Sequence, residues 1–173
     1  MTTSLPSGTS PDPLSAEDLA LLGTNPLGLS TQPQDILDTF AFLEDWESRY
    51  GYIIDLGKLA PRIPECHRTE ANQVHGCQSQ VWFVCHHDRK TNTLLILVDS
   101  DALIVRGLAA VVMSALNRQS PSSVASYDME ALFGRLDLIR HLSPTRGNGL
   151  RAMVRRIQAA ASALTHNGLP PSS

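Results

Sequence analysis

The stretch from residue 102 to residue 116 carries the strongest constraint on the fold, because its side chains are apolar almost all the way round a helix. Arg106 is its single charged residue. The stretch is shorter than the roughly 20 apolar residues of a membrane-spanning helix. We therefore predict a helix buried at the centre of a globular domain. Ser100 is its predicted N-cap, and Asp101 falls in its first turn, where the helix dipole favours a carboxylate.

The remaining patterns predict elements that cover this helix. Apolar residues recur every three or four positions from Gln34, which indicates an amphipathic helix that continues to Leu59 with a break near Gly51. Residues 81–86 and 93–98 predict an antiparallel hairpin, with a short third strand at residues 72–74. Short helices follow Pro121, then a loop over residues 143–149 and a final amphipathic helix. This order predicts an α+β fold, a small antiparallel β-sheet packed against several α-helices.

Length and composition predict one domain with two terminal segments. The chain has 173 residues, and the first 30 or so are rich in Ser, Thr, Pro and Gly. We expect a flexible N-terminal extension over residues 1–32, the domain over residues 33–166 and a C-terminal tail over residues 167–173. The first basic residue is Arg49, so no secretory or transit signal is predicted and we expect a cytoplasmic protein. A net charge of −3 without a Lys/Arg run predicts neither nucleic acid nor membrane as a partner.

The three cysteines, Cys66, Cys77 and Cys85, are irregularly spaced and odd in number, which does not favour disulfides. Histidines adjoin them, but no pair has the CxxC or HxxxH spacing of a metal site, so we expect no metal. Within a strand, Cys85 and His86 point to opposite faces.

Cys77 is the candidate reactive residue. It lies in a predicted turn next to Gly76, directly before the first strand of the hairpin, so a rigid sheet would support it. A thiol reacts as its thiolate, which a protonated His75 or the N–H groups of a tight turn would stabilise. On these grounds alone, the favoured interpretation is a free cysteine that packs as a small apolar residue.

Several blocks of the sequence resemble the SufE/CsdE family of sulfur acceptors. They are residues 74–82 (VHGCQSQVW), 99–108 (DSDALIVRGL) and 141–146 (HLSPTR) with Gly149 and Leu150, together with residues 52–57 (YIIDLG). The resemblance covers roughly residues 34–164. It implies a fold shared with IscU-type scaffolds. It also implies that Cys77 attacks a persulfide on a pyridoxal-phosphate cysteine desulfurase, which would be SufS-like or CsdA-like. The chain would stimulate that enzyme, deliver sulfur to an iron-sulfur scaffold complex, and have no cofactor or enzymatic activity of its own.

The supporting residues and two other functions stay open at this point. Asp101 either tunes the Cys77 loop or simply stabilises a helix start, and Arg146 either lowers the pKa of Cys77 or pairs with Asp99 or Asp101. Gln78 lines the loop or docks a partner, unless it is merely solvated. The alternative functions are an iron-sulfur scaffold and a desulfurase-docking module without covalent transfer. The sequence does not predict which desulfurase and acceptor are used, nor the oligomeric state. It also does not predict the roles of the N-terminal extension, Cys66 and Cys85.

Overall fold

The computed structural model describes residues 13–168, with side chains to residue 165. Within this range the chain forms an α+β fold of seven α-helices and one two-stranded sheet, as predicted. The elements in chain order are α1 (Ala16–Gly23), α2 (Pro33–Phe42), α3 (Trp46–Gly57), β1 (Val81–Asp88), β2 (Thr93–Ser100), α4 (Leu103–Leu116), α5 (Pro121–Ser126), α6 (Met129–Arg135) and α7 (Pro144–Gly168). No helix in this part of the chain is long and apolar enough to cross a membrane.

The predicted hairpin is confirmed and is two residues longer in each strand. β1 and β2 pair antiparallel, with Val81 opposite Ser100 at one end and Asp88 opposite Thr93 at the other. The predicted third strand reduces to a single bridge between Gln73 and Trp82.

Helix α4 is the buried central helix that its composition predicts, since every residue from 107 to 116 is buried. The predicted start at Asp101 is wrong, because α4 begins at Leu103. Ser100 still belongs to β2, and the backbone N–H of Asp101 donates to the carbonyl of Gln80 at 3.3 Å, which keeps these residues out of a helical turn.

Two glycines allow α3 and α4 to touch backbone to backbone. A Cβ on Gly107 would lie 2.3 Å from the carbonyl oxygen of Ile53, and one on Gly57 would lie 2.7 Å from the Gly107 nitrogen. No side chain fits at such distances, so this close contact requires glycine at both positions.

The predicted helix over residues 34–59 is two helices, and the break is not near Gly51. The chain leaves α2 at Leu43, and the Asp45 carboxylate accepts the Ser48 N–H at 2.8 Å, which caps α3. Gly51 lies inside α3.

The predicted loop over residues 143–149 is also wrong, because α7 already begins at Pro144. The Ser143 hydroxyl accepts the Arg146 N–H at 3.2 Å, and the Ser143 carbonyl accepts the Gly147 N–H at 2.9 Å. A capping serine followed by proline starts a helix well, and this signal outweighs the glycines that follow. The predicted short helices after Pro121 are confirmed as α5 and α6.

Part of the predicted N-terminal extension packs on the domain in the structure. Leu22 and Leu27 are buried in the core, and the Asn25 amide donates to the carbonyl of Ile96 at 3.1 Å. The Asn117 amide donates to the Leu27 carbonyl at 2.8 Å. Too few apolar residues recur here to form a pattern, so only the tertiary contacts reveal the packing. Residues 1–12 of the extension lie outside the described range, as do residues 169–173 of the predicted tail, whose first two residues belong to α7.

Candidate functional site

Cys77 lies on a short loop that is closed at its base. The Val74 N–H donates to the Val81 carbonyl at 2.8 Å, and both side chains are buried. Gly76 has a φ of +93°, in the left-handed region that favours glycine, and a Cβ there would lie 3.3 Å from the Ala152 Cβ. This turn sets the half-buried Cys77 side chain against the domain.

The far end of the loop is tied to the junction between β2 and α4. The Gln80 N–H donates to the Asp101 carboxylate at 3.1 Å, and the Ser100 hydroxyl donates to the Gln80 carbonyl at 2.7 Å. Asp101 therefore contacts the cysteine loop, and its interpretation as a residue of the first helical turn is wrong. Sequence alone could not distinguish contact with the loop from a place in the first helical turn, because both interpretations require an acidic residue directly after the strand.

Helix α7 supplies the opposite wall of the site. The Cys77 Sγ lies 3.4 Å from the Gly149 carbonyl oxygen, in a hydrogen bond that the thiol donates. Beside the thiol is a small cavity of about 30 Å³, lined by Cys77, Gln78, Ser79, Val105, Leu108, Thr145, Arg146, Gly149, Leu150 and Met153. That volume accepts a group about the size of a water molecule.

The surroundings favour the protonated thiol. Burial raises the pKa of Cys77, and the bond to the Gly149 carbonyl is available only while the sulfur carries its hydrogen. The described structure thus gives no support to the predicted stabilisation of a thiolate by His75 or the turn. His75 is exposed on the loop.

The predicted site residues fall into two groups. Gln78 and Arg146 are exposed and border the cavity, while His75 and Gly76 are exposed and do not line it. Arg146 has no carboxylate partner among residues 13–165. Its suggested partner Asp99 binds other arginines: Arg62, Arg68 and Arg106.

Sequence reasoning misses the wall opposite the thiol. It places Gly149 in a loop, and it assigns Val105 and Leu108 only to the buried face of the central helix. Their positions follow from helix packing, and the available signal is that all three residues belong to blocks that resemble the family.

The other two thiols lie in different places. Cys66 is exposed and borders a groove with Asp18, while Cys85 is partly buried and lines another cavity with Arg156. Burial raises the pKa of Cys85 to about 11, and Arg156 opposes that shift. In the part of the chain that the structure describes, no three His, Cys, Asp or Glu side chains are grouped to hold a metal ion.

Comparison with known proteins identifies the family. The profile of the SufE family, described as an Fe-S metabolism associated domain, matches residues 34–161. An uncharacterized SufE-like protein of Rhizobium meliloti (strain 1021) is 47% identical over 133 residues, which are 76% of this chain and 95% of that protein. A second uncharacterized SufE-like protein, from Rhizobium etli, is 45% identical over 128 residues, 73% of this chain and 86% of that protein.

A solved structure supports the fold. The solution structure of a hypothetical protein from Thermus thermophilus superposes with a TM-score of 0.63, covering 78% of this chain and 96% of that one at 20% identity. The match over most of the chain, together with relatives close to half identical, shows that this protein belongs to the SufE family and has a role in Fe-S metabolism.

Proposed function

We propose that this protein is a sulfur acceptor and carrier, which takes persulfide sulfur from a cysteine desulfurase onto Cys77 and delivers it to iron-sulfur cluster assembly. The observation that carries the proposal is the placement of Cys77. Its loop is fixed at both ends to the sheet, and its thiol borders a cavity of about 30 Å³. A reactive thiol needs both a defined position and space for one more atom.

The reaction is a thiol exchange. The Cys77 thiolate attacks the outer sulfur of the desulfurase persulfide, a new S–S bond forms at Cys77, and the old S–S bond breaks. The desulfurase cysteine leaves as a thiolate, so nothing is oxidised or reduced overall. The pyridoxal phosphate that releases sulfur from free cysteine belongs to the desulfurase, and this chain needs no cofactor of its own.

At rest the site suppresses this attack. The raised pKa of Cys77 and its bond to the Gly149 carbonyl keep the sulfur protonated. When the loop moves outward to a partner, both effects are lost. Arg146 is an exposed residue that lines the same cavity, and its positive charge favours a thiolate at the cavity mouth.

Asp101, Gly76, Gln78 and His75 take lesser parts in the proposal. Asp101 controls the loop through the Gln80 N–H, and Gly76 allows the turn that directs Cys77 inward. Gln78 and His75 are exposed beside the thiol and are available to a docked partner.

The cavity protects the product. After transfer, the outer sulfur occupies the space beside Val105, Leu108 and Met153, away from solvent nucleophiles. A persulfide is easily reduced or attacked by other thiols, so a carrier benefits from shielding it between its two partners. The three unpaired cysteines suit a reducing compartment such as the cytoplasm, where a SufS-like or CsdA-like desulfurase would act.

The alternative of an iron-sulfur scaffold requires several converging ligands. The thiols of Cys66, Cys77 and Cys85 instead border three different cavities, which favours the carrier. The alternative of a docking module without covalent transfer is decided by the experiment below.

The test is to incubate the purified chain with its desulfurase and cysteine, then measure intact mass and locate added sulfur by peptide mapping. We expect added sulfur on Cys77, none in Cys77→Ser, and unchanged loading in the matched control Cys66→Ser. Desulfurase turnover should lose its stimulation in Cys77→Ser. Stimulation that survives this substitution would contradict the proposal and favour a docking module.

A further inference from the structure

A cluster of arginines next to the cysteine loop holds more positive charge than its carboxylate neutralises. The buried Asp99 carboxylate lies 3.0 Å from Arg62 Nε, 3.1 Å from Arg68 Nη2 and 3.2 Å from Arg106 Nε. Three guanidinium groups around one carboxylate leave a net charge of +2. This local excess stands out in a chain whose net charge is −3.

Arg62 presents this excess to solvent. Its side chain is 51% exposed, against 11% for Arg106. Its Nε binds both oxygens of Asp99, which fixes the side chain, while its two terminal nitrogens contact no acceptor among the described residues. An arginine held in this way offers two parallel N–H groups at little entropic cost, an arrangement that matches a second carboxylate.

The cluster lies at the same end of the sheet as the reactive thiol. Asp99 is two residues before Asp101, whose carboxylate accepts the Gln80 N–H of the cysteine loop. Arg106 directly follows Val105, which lines the Cys77 cavity. The arginine cluster and the Cys77 loop are therefore both attached to the segment from Asp99 to Arg106, close enough for one docked protein to cover them.

An exposed apolar residue lies in the same place. Leu103 opens α4 between Asp101 and Val105, and it is 56% exposed. Leu103 is one helical turn before Arg106, so it lies beside the arginine cluster. Arginine is enriched at protein interfaces, and an exposed leucine beside it adds apolar surface that a partner can bury.

We propose that Arg62 and Leu103 form a docking face for the cysteine desulfurase, and that it binds an acidic surface of that enzyme with an apolar recess beside the carboxylates. The proposal rests on the proposed function and names the partner-binding side chains of the same site. Charge complementarity selects a carboxylate-bearing partner, and the leucine selects a protein surface over a small free anion.

The experiment measures the dissociation constant between this chain and its purified desulfurase by calorimetry, at low and at physiological ionic strength. All variants carry Cys77→Ser, so binding is read without sulfur transfer. Arg62→Ala leaves Asp99 paired with Arg68 and Arg106, so the fold is retained. Its matched control is Arg89→Ala, an exposed arginine in the turn at the opposite end of the hairpin.

Leu103→Ser is the second, independent variant, and Leu29→Ser is its control. Leu29 is 59% exposed and follows Gly28, which contacts Asn117 at the other end of α4. Fourteen helical residues separate the two ends by about 21 Å, so the control leucine is far from the thiol.

We expect Arg62→Ala to weaken binding about tenfold and Leu103→Ser at least about fivefold, with both controls within about twofold of the parent. Added salt should weaken the parent more than Arg62→Ala. Equal affinities for Arg62→Ala and Arg89→Ala would overturn the docking face. If binding follows these expectations but the native chain gains no sulfur on Cys77, the proposed function is overturned and the docking face stands. If the native chain binds no desulfurase, both are overturned.

Discussion

The Cys77 sulfur lies 3.4 Å from the Gly149 carbonyl oxygen, and a Cβ on Gly149 would lie only 3.3 Å from the same sulfur. Helix α7 therefore approaches the thiol closely because residue 149 has no side chain. The contact couples the position of the cysteine to the first turns of that helix.

Gly149→Ala should push the Cys77 thiol out of its place. We expect iodoacetamide to alkylate Cys77 several times faster, because the displaced sulfur is more exposed and loses its carbonyl acceptor. The matched control is Gly51→Ala, also inside a helix but with nothing within 4 Å of the added Cβ. The control should gain up to about 1 kcal/mol of unfolding free energy without affecting alkylation. Equal alkylation rates in the two variants would contradict the packing argument.

Cys85 should make the stability fall at high pH. Burial raises the pKa of its thiol from 9.0 to about 11, so between these values the unfolded chain has lost a proton that the folded chain keeps. The free energy of unfolding then decreases as pH rises, by about 1.4 kcal/mol per pH unit and roughly 2–3 kcal/mol in all.

Urea denaturation across this range measures the effect. Cys85→Ala should remove most of the decrease, since it removes the thiol with the larger shift, while the raised pKa of Cys77 still contributes a smaller one. Cys66→Ala, which removes an exposed thiol, is the control and should keep the decrease. A slope as steep in Cys85→Ala as in Cys66→Ala would show that another group causes it.

Asp18 should hold α1 onto the domain. Its carboxylate accepts the Ser15 N–H at 2.8 Å and lies 2.7 Å from Nε2 of the buried His67. Asp18→Ala should therefore speed amide exchange over residues 16–23, at a cost of about 1 kcal/mol for the lost cap. Glu17→Ala, in the same helical turn, is the control. Similar amide exchange rates in Asp18→Ala and Glu17→Ala would show that apolar contacts alone hold α1 on the domain.

The same pair has a defined pH dependence. The bonds from Ser15 and then from His67 hold the pKa of Asp18 below its ordinary value of 3.8. A carboxyl with a depressed pKa stabilises the folded state above its ordinary pKa, and this stabilisation is lost as the pH falls through the folded value. Protection of α1 measured by hydrogen exchange should therefore persist at neutral pH and decline only in acid below about pH 4.

The parts of this molecule that sequence predicts are those with local signals. The alternation of apolar residues predicts the hairpin, and the uniform apolarity of residues 102–116 predicts the buried helix, because each follows from the period of one element. Cys77 is singled out by its turn and by the resemblance of its block to a family. The predicted start of α7 is wrong because Pro144, Gly147 and Asn148 together indicate a turn, whereas Pro144 after the capping Ser143 begins the helix.

The remaining parts depend on contacts between distant segments. In the sequence Asp99 is one residue of a motif, yet its binding to Arg62 spans 37 positions, and nothing local to either residue indicates it. The burial of Leu22 and Leu27 likewise depends on α4 and β2, which lie far along the chain. Such contacts become visible only once the elements are packed.

Asp99→Asn should destabilise the domain strongly. The amide has almost the shape of the carboxylate, but it leaves three arginines next to one another without a counter-charge. Burial already lowers the pKa of Arg106, and the neighbouring Arg62 and Arg68 lower it further, while Asp99 opposes both effects. Removing one member of a buried charge network typically costs about 3–5 kcal/mol, and we expect a loss near the lower end because Arg62 can turn into solvent.

Asp137→Asn is the control, since that carboxylate is 46% exposed and lies 3.8 Å from Arg140, a pair worth less than about 1 kcal/mol. Urea denaturation of the two variants measures the difference, and similar losses would show that the arginines around Asp99 are solvated well enough to need no counter-charge.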